Sequence, residues 1–172
     1  PPALRAGNLV VMGNVDYDRG PDESPAGGAV AALLRGGSWE RGFRPLMATE
    51  GEARAIAHYF ERESASLTGR PEAAEAVLLE GEGASRDALL AAARGARFLH
   101  LATHGWFAPE SVYSSAARTL DAGMSREEQV RGSSPMVLSG LALSGANLPA
   151  DALGRVPGLI TAEEIAEIGR AH

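Results

Sequence analysis

The sequence predicts an α/β fold built on a parallel sheet. Two observations predict it. Short apolar runs alternate with segments of helical periodicity, and the changes from one to the other are marked by Gly, Pro or a capping residue. Composition agrees: of 172 residues, 45% are hydrophobic and 22% charged, as in ordinary globular domains. Such a length suits one domain with a real core.

"NLVVMGNVDYD" (8–18) opens apolar and turns polar at Gly13, Asn14 and Asp16, so it reads as a buried strand feeding a loop. Residues 19–45, rich in Gly, Pro and Arg, predict a loop insertion with one helical turn at "GGAVAALLRGG". "ATEGEARAIAHYFERES" (48–64) predicts a helix. Thr49 and Glu52 have capping-box spacing, and Ala53, Ile56, Ala57 and Phe60 recur on one face, which should meet a sheet. "AVLLEG" (76–81) is a second strand. "GASRDALLAAARGA" (83–96) is a second helix that Ser85 can cap and Gly95 can end. "RFLHLATHG" (97–105) is a third strand. The alternation predicts right-handed crossovers, with functional groups gathered beyond the carboxyl ends of strands, where His104 and Gly105 fall. Residues 108–134 are polar and aperiodic and predict a second loop insertion. "PMVLSGLALSGAN" (135–147) reads as a short strand or hairpin near that end. "LITAEEIAEIGR" (159–170) places a helix at 161–168 behind a Thr161–Glu164 cap.

The bulk properties exclude several classes. All 16 basic residues are Arg, the net charge is −6, and no basic cluster forms a nucleic-acid footprint. No run of 18 apolar residues predicts a membrane span, and no secretory leader opens the chain, so a cytoplasmic setting is expected. The chain does not begin with Met, so a longer parent protein is expected. There is no Cys, which removes disulfides, thiolate metal sites and a cysteine nucleophile from these residues. "GEGASRD" lacks the spacing and Lys of a phosphate loop. No cofactor is expected.

His100 and His104 invite a metal reading, but on a strand they stand about 13 Å apart, and no third ligand is evident. No metal is expected. His100, between Leu99 and Leu101, reads as a hydrogen-bonded residue in or near the core. For His104 two readings stand: a packing residue, or a functional group where a rigid strand meets a loop. Asp16 reads as a turn former or, on the same rim, a substrate-binding group. Trp106 and Phe107 read as cover for the histidine, as pocket lining, or as a core-edge pair. Ser139 and Ser144 lack the G-x-S-x-G elbow of a serine nucleophile.

"RFLHLATHGWF" resembles the histidine motif of the CHAT family, caspase-like peptidase domains often attached to tetratricopeptide repeats. The likeness extends along the chain. "LVVMGNVDYD" resembles the family's first strand. "FRPLMATEGEARAIAHYF" resembles its first helix, with an acidic position at Glu52. "VLLEGEGASRDALLAAARGARFLHLATHG" resembles the strand–helix–strand that delivers the histidine. "PMVLSGLALSGAN" and "GLITAEEIAEI" resemble the two segments after it. Residues 19–41 and 108–134 remain unmatched.

The resemblance implies a caspase-like fold and a Cys–His dyad that hydrolyses a protein or peptide substrate. His104 would be general base and acid, and Gly105 would offer an oxyanion-hole N–H or else be a simple turn residue. Asp16, Trp106 and Ser139 would lie along the substrate, with Ser139 and Ser144 otherwise assigned to packing or groove backbone. In the family the nucleophilic Cys follows the "LTAEEI"-like helix, so residues 1–172 are expected to be the N-terminal portion of one such domain. The remainder of the domain, alone or with tetratricopeptide repeats, would be the partner. The resemblance and the crossover rule imply strand order 2-1-3, with the histidine strand left as an edge. A non-catalytic regulatory or protein-interaction module is the alternative.

Overall fold

The structure of the protein, a computed structural model, describes residues 8–20, 42–68, 75–107, 136, 138–149 and 156–170. The loop insertions expected at 19–45 and 108–134 lie outside these residues, apart from 19–20 and 42–45.

Strands β1 (Asn8–Val15), β2 (Ala76–Gly81) and β3 (Ala96–Leu101) form a parallel sheet in the order β2-β1-β3, as the sequence leads one to expect. Helices α1 (Thr49–Thr68) and α2 (Arg86–Ala93) lie in the connections. The central strand is apolar on both faces because both are covered. Leu9 and Val11 meet Ala53 and Ala57 of α1, with Ile56 and Phe60 at the margin, which is the predicted helix face. Val10 and Met12 point the other way, into a larger cluster with Leu89, Trp106, Leu143 and Ile160. Among the described residues β3 pairs with β1 alone, and it exposes Phe98 and Leu99.

Two boundaries differ from the sequence reading. β1 does not turn to loop at Gly13; it runs to Val15 through an irregularity after Met12, with Asn14 at φ 48°. There the strand touches the first turn of α1. A Cβ on Gly13 would lie 2.4 Å from the Thr49 carbonyl oxygen, and the Asn14 N–H donates to Thr49 Oγ1 at 2.8 Å. Thr49 in turn donates to the Leu46 carbonyl, so the expected Thr49–Glu52 capping box is not what fixes this helix end. Glu52 reaches His100 instead.

The second difference is the histidine strand. β3 ends at Leu101, and the chain bends through 102–104 into β4 (Gly105–Phe107). β4 belongs to a separate antiparallel sheet in the order β4-β5-β6, with β5 (Ser139–Ala142) and β6 (Leu159–Thr161). The Ala102 N–H still bonds to the Met12 carbonyl, but the Thr103 hydroxyl donates to the Ala142 carbonyl and draws the chain into the second sheet. The 135–147 segment thus supplies a central strand, β5, followed by a turn.

Both remaining caps behave as local chemistry dictates. Ser85 Oγ accepts from the Ala88 N–H at 3.2 Å; α2 closes on Arg94, one residue before Gly95. Helix α3 (Ala162–Arg170) opens with a reciprocal box: Thr161 N–H donates to Glu164 Oε2 at 2.8 Å, and Glu164 N–H donates to Thr161 Oγ1 at 3.2 Å. Arg86 of α2 pairs with the same carboxylate.

That carboxylate makes the cap acid-sensitive. Burial alone would raise the Glu164 pKa, but the Thr161 N–H, the Arg86 guanidinium and the Thr161 hydroxyl together outweigh it and hold the group below its ordinary value. A depressed folded-state pKa contributes stability above the unfolded pKa and loses it as pH falls through the folded one. Thr161→Ala is therefore expected to cost about 1 kcal/mol at neutral pH. The gap between wild-type and Glu164→Gln melting temperatures should close as the pH drops below the carboxylate range. Paired melts at neutral and acidic pH check both; a gap that widens in acid would mean that Glu164 is not held as its anion.

Candidate active site

His104 sits in the bend between the two sheets, at the carboxyl end of β3. Its position is fixed by two segments far from it in sequence, one at Tyr17 and one at Phe43–Arg44. Its Nε2 lies 2.8 Å from the Arg44 carbonyl oxygen. Its ring is 5.4 Å from the Tyr17 ring and 5.7 Å from the Phe43 ring, centroid to centroid, and those two rings are 5.8 Å apart. Tyr17 and Phe43 are buried, while the histidine is half-buried. A carbonyl oxygen only accepts, so Nε2 carries the proton in the neutral ring and Nδ1 is left as the basic nitrogen.

The bend itself is held by hydroxyls. Thr103 donates to the Ala142 carbonyl, so its oxygen accepts from the Tyr17 hydroxyl 3.0 Å away. Burial pushes the Tyr17 pKa up, against the lowering effect of its hydrogen bonds with Thr103 and the His104 backbone, so this phenol stays a neutral donor.

Gly105 is exposed at the start of β4, opposite Leu141. The Ala142 N–H bonds to the His104 carbonyl at 2.9 Å, which makes Gly105–Leu141 a non-hydrogen-bonded pair. The Gly105 N–H therefore points away from β5. Gly105 is not a turn residue, and its φ is not positive. Nor does packing demand glycine, since the nearest atom to an added Cβ is the Gly140 oxygen at 3.8 Å.

His100 does not share a face with His104, because the bend separates them. It pairs with Val11 on the α1 side of the sheet, where its Nε2 lies 3.0 Å from Glu52 Oε1. It is a half-buried, hydrogen-bonded partner of α1 at the margin of the core. Among the described residues no group of three or more His, Asp or Glu side chains gathers at one point.

The other expected site residues divide. Asp16 Oδ1 accepts from the Asp18 N–H at 3.1 Å, which is the turn-forming reading; its backbone joins β2 and the 143–148 turn through Gly81 and Gly145. Trp106 is buried in the core and donates from Nε1 to the Leu141 carbonyl at 3.2 Å, whereas its neighbour Phe107 is exposed. Ser139 lies on β5 opposite Phe107, half-buried. Ser144 is buried and donates to the Glu82 carbonyl at 2.9 Å, a packing role. Sequence reasoning missed Tyr17, Phe43, the Arg44 carbonyl, Thr103 and Asn147. One signal was present: Pro45 biases Arg44 to an extended backbone, presenting its carbonyl outward from the helix that follows.

No helix among the described residues is long and apolar enough to cross a membrane. No curated protein and no solved structure matches the chain. The family model for the CHAT domain matches residues 2–169. The parallel sheet with flanking helices is consistent with a partial caspase-like fold. The chain belongs to the CHAT domain family, whose members are caspase-like and peptidase-related.

Proposed function

We propose that this chain is the histidine-bearing part of a cysteine endopeptidase domain. The observation that carries the reading is the Arg44 carbonyl on His104 Nε2, which leaves Nδ1 as a base of defined orientation. In the reaction, a Cys from polypeptide outside residues 1–172 gives its thiol proton to Nδ1. Sulfur then bonds to the substrate carbonyl carbon. As the C–N bond breaks, the leaving amine takes that proton back from Nδ1. Water, deprotonated by Nδ1, next attacks the thioester and releases the acid and the thiol. Gly105 supports the scheme as an oxyanion donor: its N–H faces away from β5, and neither turn nor packing requires glycine there, which suits close approach of a substrate carbonyl. Half-buried Asp16 and Ser139 would line the substrate groove, with buried Trp106 as its backing. The substrate is a protein or peptide, and the natural partners are the rest of the domain and an attached repeat region in a cytoplasmic protein.

A non-catalytic, partner-binding module is the second reading, favoured by the absence of any Cys within these residues. The test compares residues 1–172 with the full-length protein on a broad peptide library. Residues 1–172 alone are expected to cleave nothing. The full-length protein is expected to cleave and to lose activity on alkylation of a single Cys. Cleavage by residues 1–172, or alkylation without effect on cleavage, would overturn the peptidase reading; a full-length protein without cleavage would favour the second.

A further inference from the structure

The geometry points to Asn147 as the positioning residue of this site: its side-chain amide locks segment 42–44 so that the Arg44 carbonyl meets His104. Asn147 lies in the turn after β5, far from both partners in sequence. Its Oδ1 accepts from the Phe43 N–H at 2.7 Å, and its Nδ2 donates to the Phe43 carbonyl at 2.9 Å. One amide thus satisfies both backbone groups of one residue, as a neighbouring strand would. Nδ2 also donates to Asp18 Oδ1 at 2.8 Å, and the Asn147 backbone N–H donates to the Tyr17 carbonyl at 2.8 Å. These contacts fix the amide's orientation, since exchanging its oxygen and nitrogen would oppose donor to donor or acceptor to acceptor in all three side-chain bonds.

The fit is tight on the other side as well. Gly42 adopts φ +70°, and a Cβ there would lie 2.7 Å from Asn147 Oδ1. The segment is anchored again at Thr49, which holds Leu46 and Asn14. Between these anchors Phe43 packs on Tyr17 and His104, and the next carbonyl, that of Arg44, receives the Nε2 proton. The hydrogen bonds of the Asn147 side chain go to Phe43 and Asp18, not to His104. It acts through the backbone it holds, by keeping one acceptor in place and so selecting one tautomer of the ring.

This inference rests on the peptidase reading for its catalytic consequence, but not for its first readout. That readout is ring-nitrogen NMR of histidine-labelled protein, with exchange of the Phe43 amide followed in the same samples. Wild type is expected to show His104 as a single tautomer protonated on Nε2. Asn147→Ala is expected to populate both tautomers and to speed Phe43 amide exchange about tenfold or more, with the His100 ring signals unchanged as the control for fold. Asn147→Asp keeps the acceptor for the Phe43 N–H but loses both donors and sets a carboxylate against Asp18, so it should keep part of the amide protection and lose the single tautomer. Should Asn147→Ala fail to fold, Asp18→Ala removes one acceptor of the amide at an exposed position and is expected to move the tautomer population the same way. His104 nitrogen shifts that stay at wild-type values in a folded variant would overturn the proposal. In the full-length protein, Asn147→Ala should lower kcat about tenfold or more with KM nearly unchanged. A tautomer shift in a protein that cleaves nothing would sink the peptidase reading and keep this one. Cleavage that needs His104 but ignores Asn147 would do the reverse.

Discussion

His104→Ala in the full-length protein is expected to lower peptide hydrolysis by about 10³-fold or more, because it removes the group that both takes and returns the proton. It should also cost stability, by about 1–2 kcal/mol. At a solvent-facing strand end this truncation would be nearly silent for the fold. The ring is instead half-buried against Tyr17 and Phe43 and bonded to the Arg44 carbonyl. His100→Ala, expected from the sequence to be the destabilising change, breaks an exposed pair with Glu52 and should cost only about 0–1 kcal/mol. Activity and melting curves for both variants decide the assignment. Full activity in a folded His104→Ala protein, with loss in His100→Ala, would mean the two histidines have been given each other's roles.

Gly140→Ala is expected to be the most damaging small substitution in the second sheet. A Cβ there would lie 1.8 Å from the Ile160 carbonyl oxygen and 2.8 Å from its carbon. Those are backbone atoms of a paired strand, so no side-chain rotation relieves the clash, and β5 must separate from β6. The expected cost is about 3 kcal/mol or more, a fall in melting temperature on the order of 10 °C. Gly140 also pairs with Trp106, so the damage should reach the indole directly after the candidate oxyanion donor. Calorimetry or circular dichroism reads the first effect, and a red-shifted tryptophan emission reads the second. A melt that overlays the wild type's would show that β5 and β6 are not packed at this distance.

What was legible in the sequence was what neighbours in sequence decide. Thr161 and Glu164 are three apart, and their cap forms as the spacing predicts. Thr49 and Glu52 have the same spacing, yet β1 offers Thr49 a backbone N–H and β3 offers Glu52 an imidazole, so tertiary partners win. The "RFLHLATHG" strand looked continuous because no Gly or Pro interrupts it before Gly105; the break comes from the Ala142 carbonyl, 39 positions from Thr103. The site shows the same divide. His104 and Gly105 could be singled out from their local run and its family likeness. Asn147 could not, because its partners Phe43 and Asp18 lie 104 and 129 positions away and its own neighbours, Ala146 and Leu148, say nothing of them.

The central place of β1 has a consequence during synthesis. Among the described strands β1 is made first and is the most deeply buried, and each of its strand partners is made much later: Val11 waits for Leu78 on one side and His100 on the other. Until residues near 101 have emerged, "LVVM" lacks its neighbouring strands and can only stay solvated, meet α1 on one face, or be held by a chaperone. The face that meets α1 can be covered first, whereas the face that meets Leu89, Trp106, Leu143 and Ile160 is closed last. The nascent chain should therefore be a chaperone client while residues 16–101 are made, and slower elongation between residues 69 and 76 would lengthen the exposure of β1 without giving it a neighbouring strand.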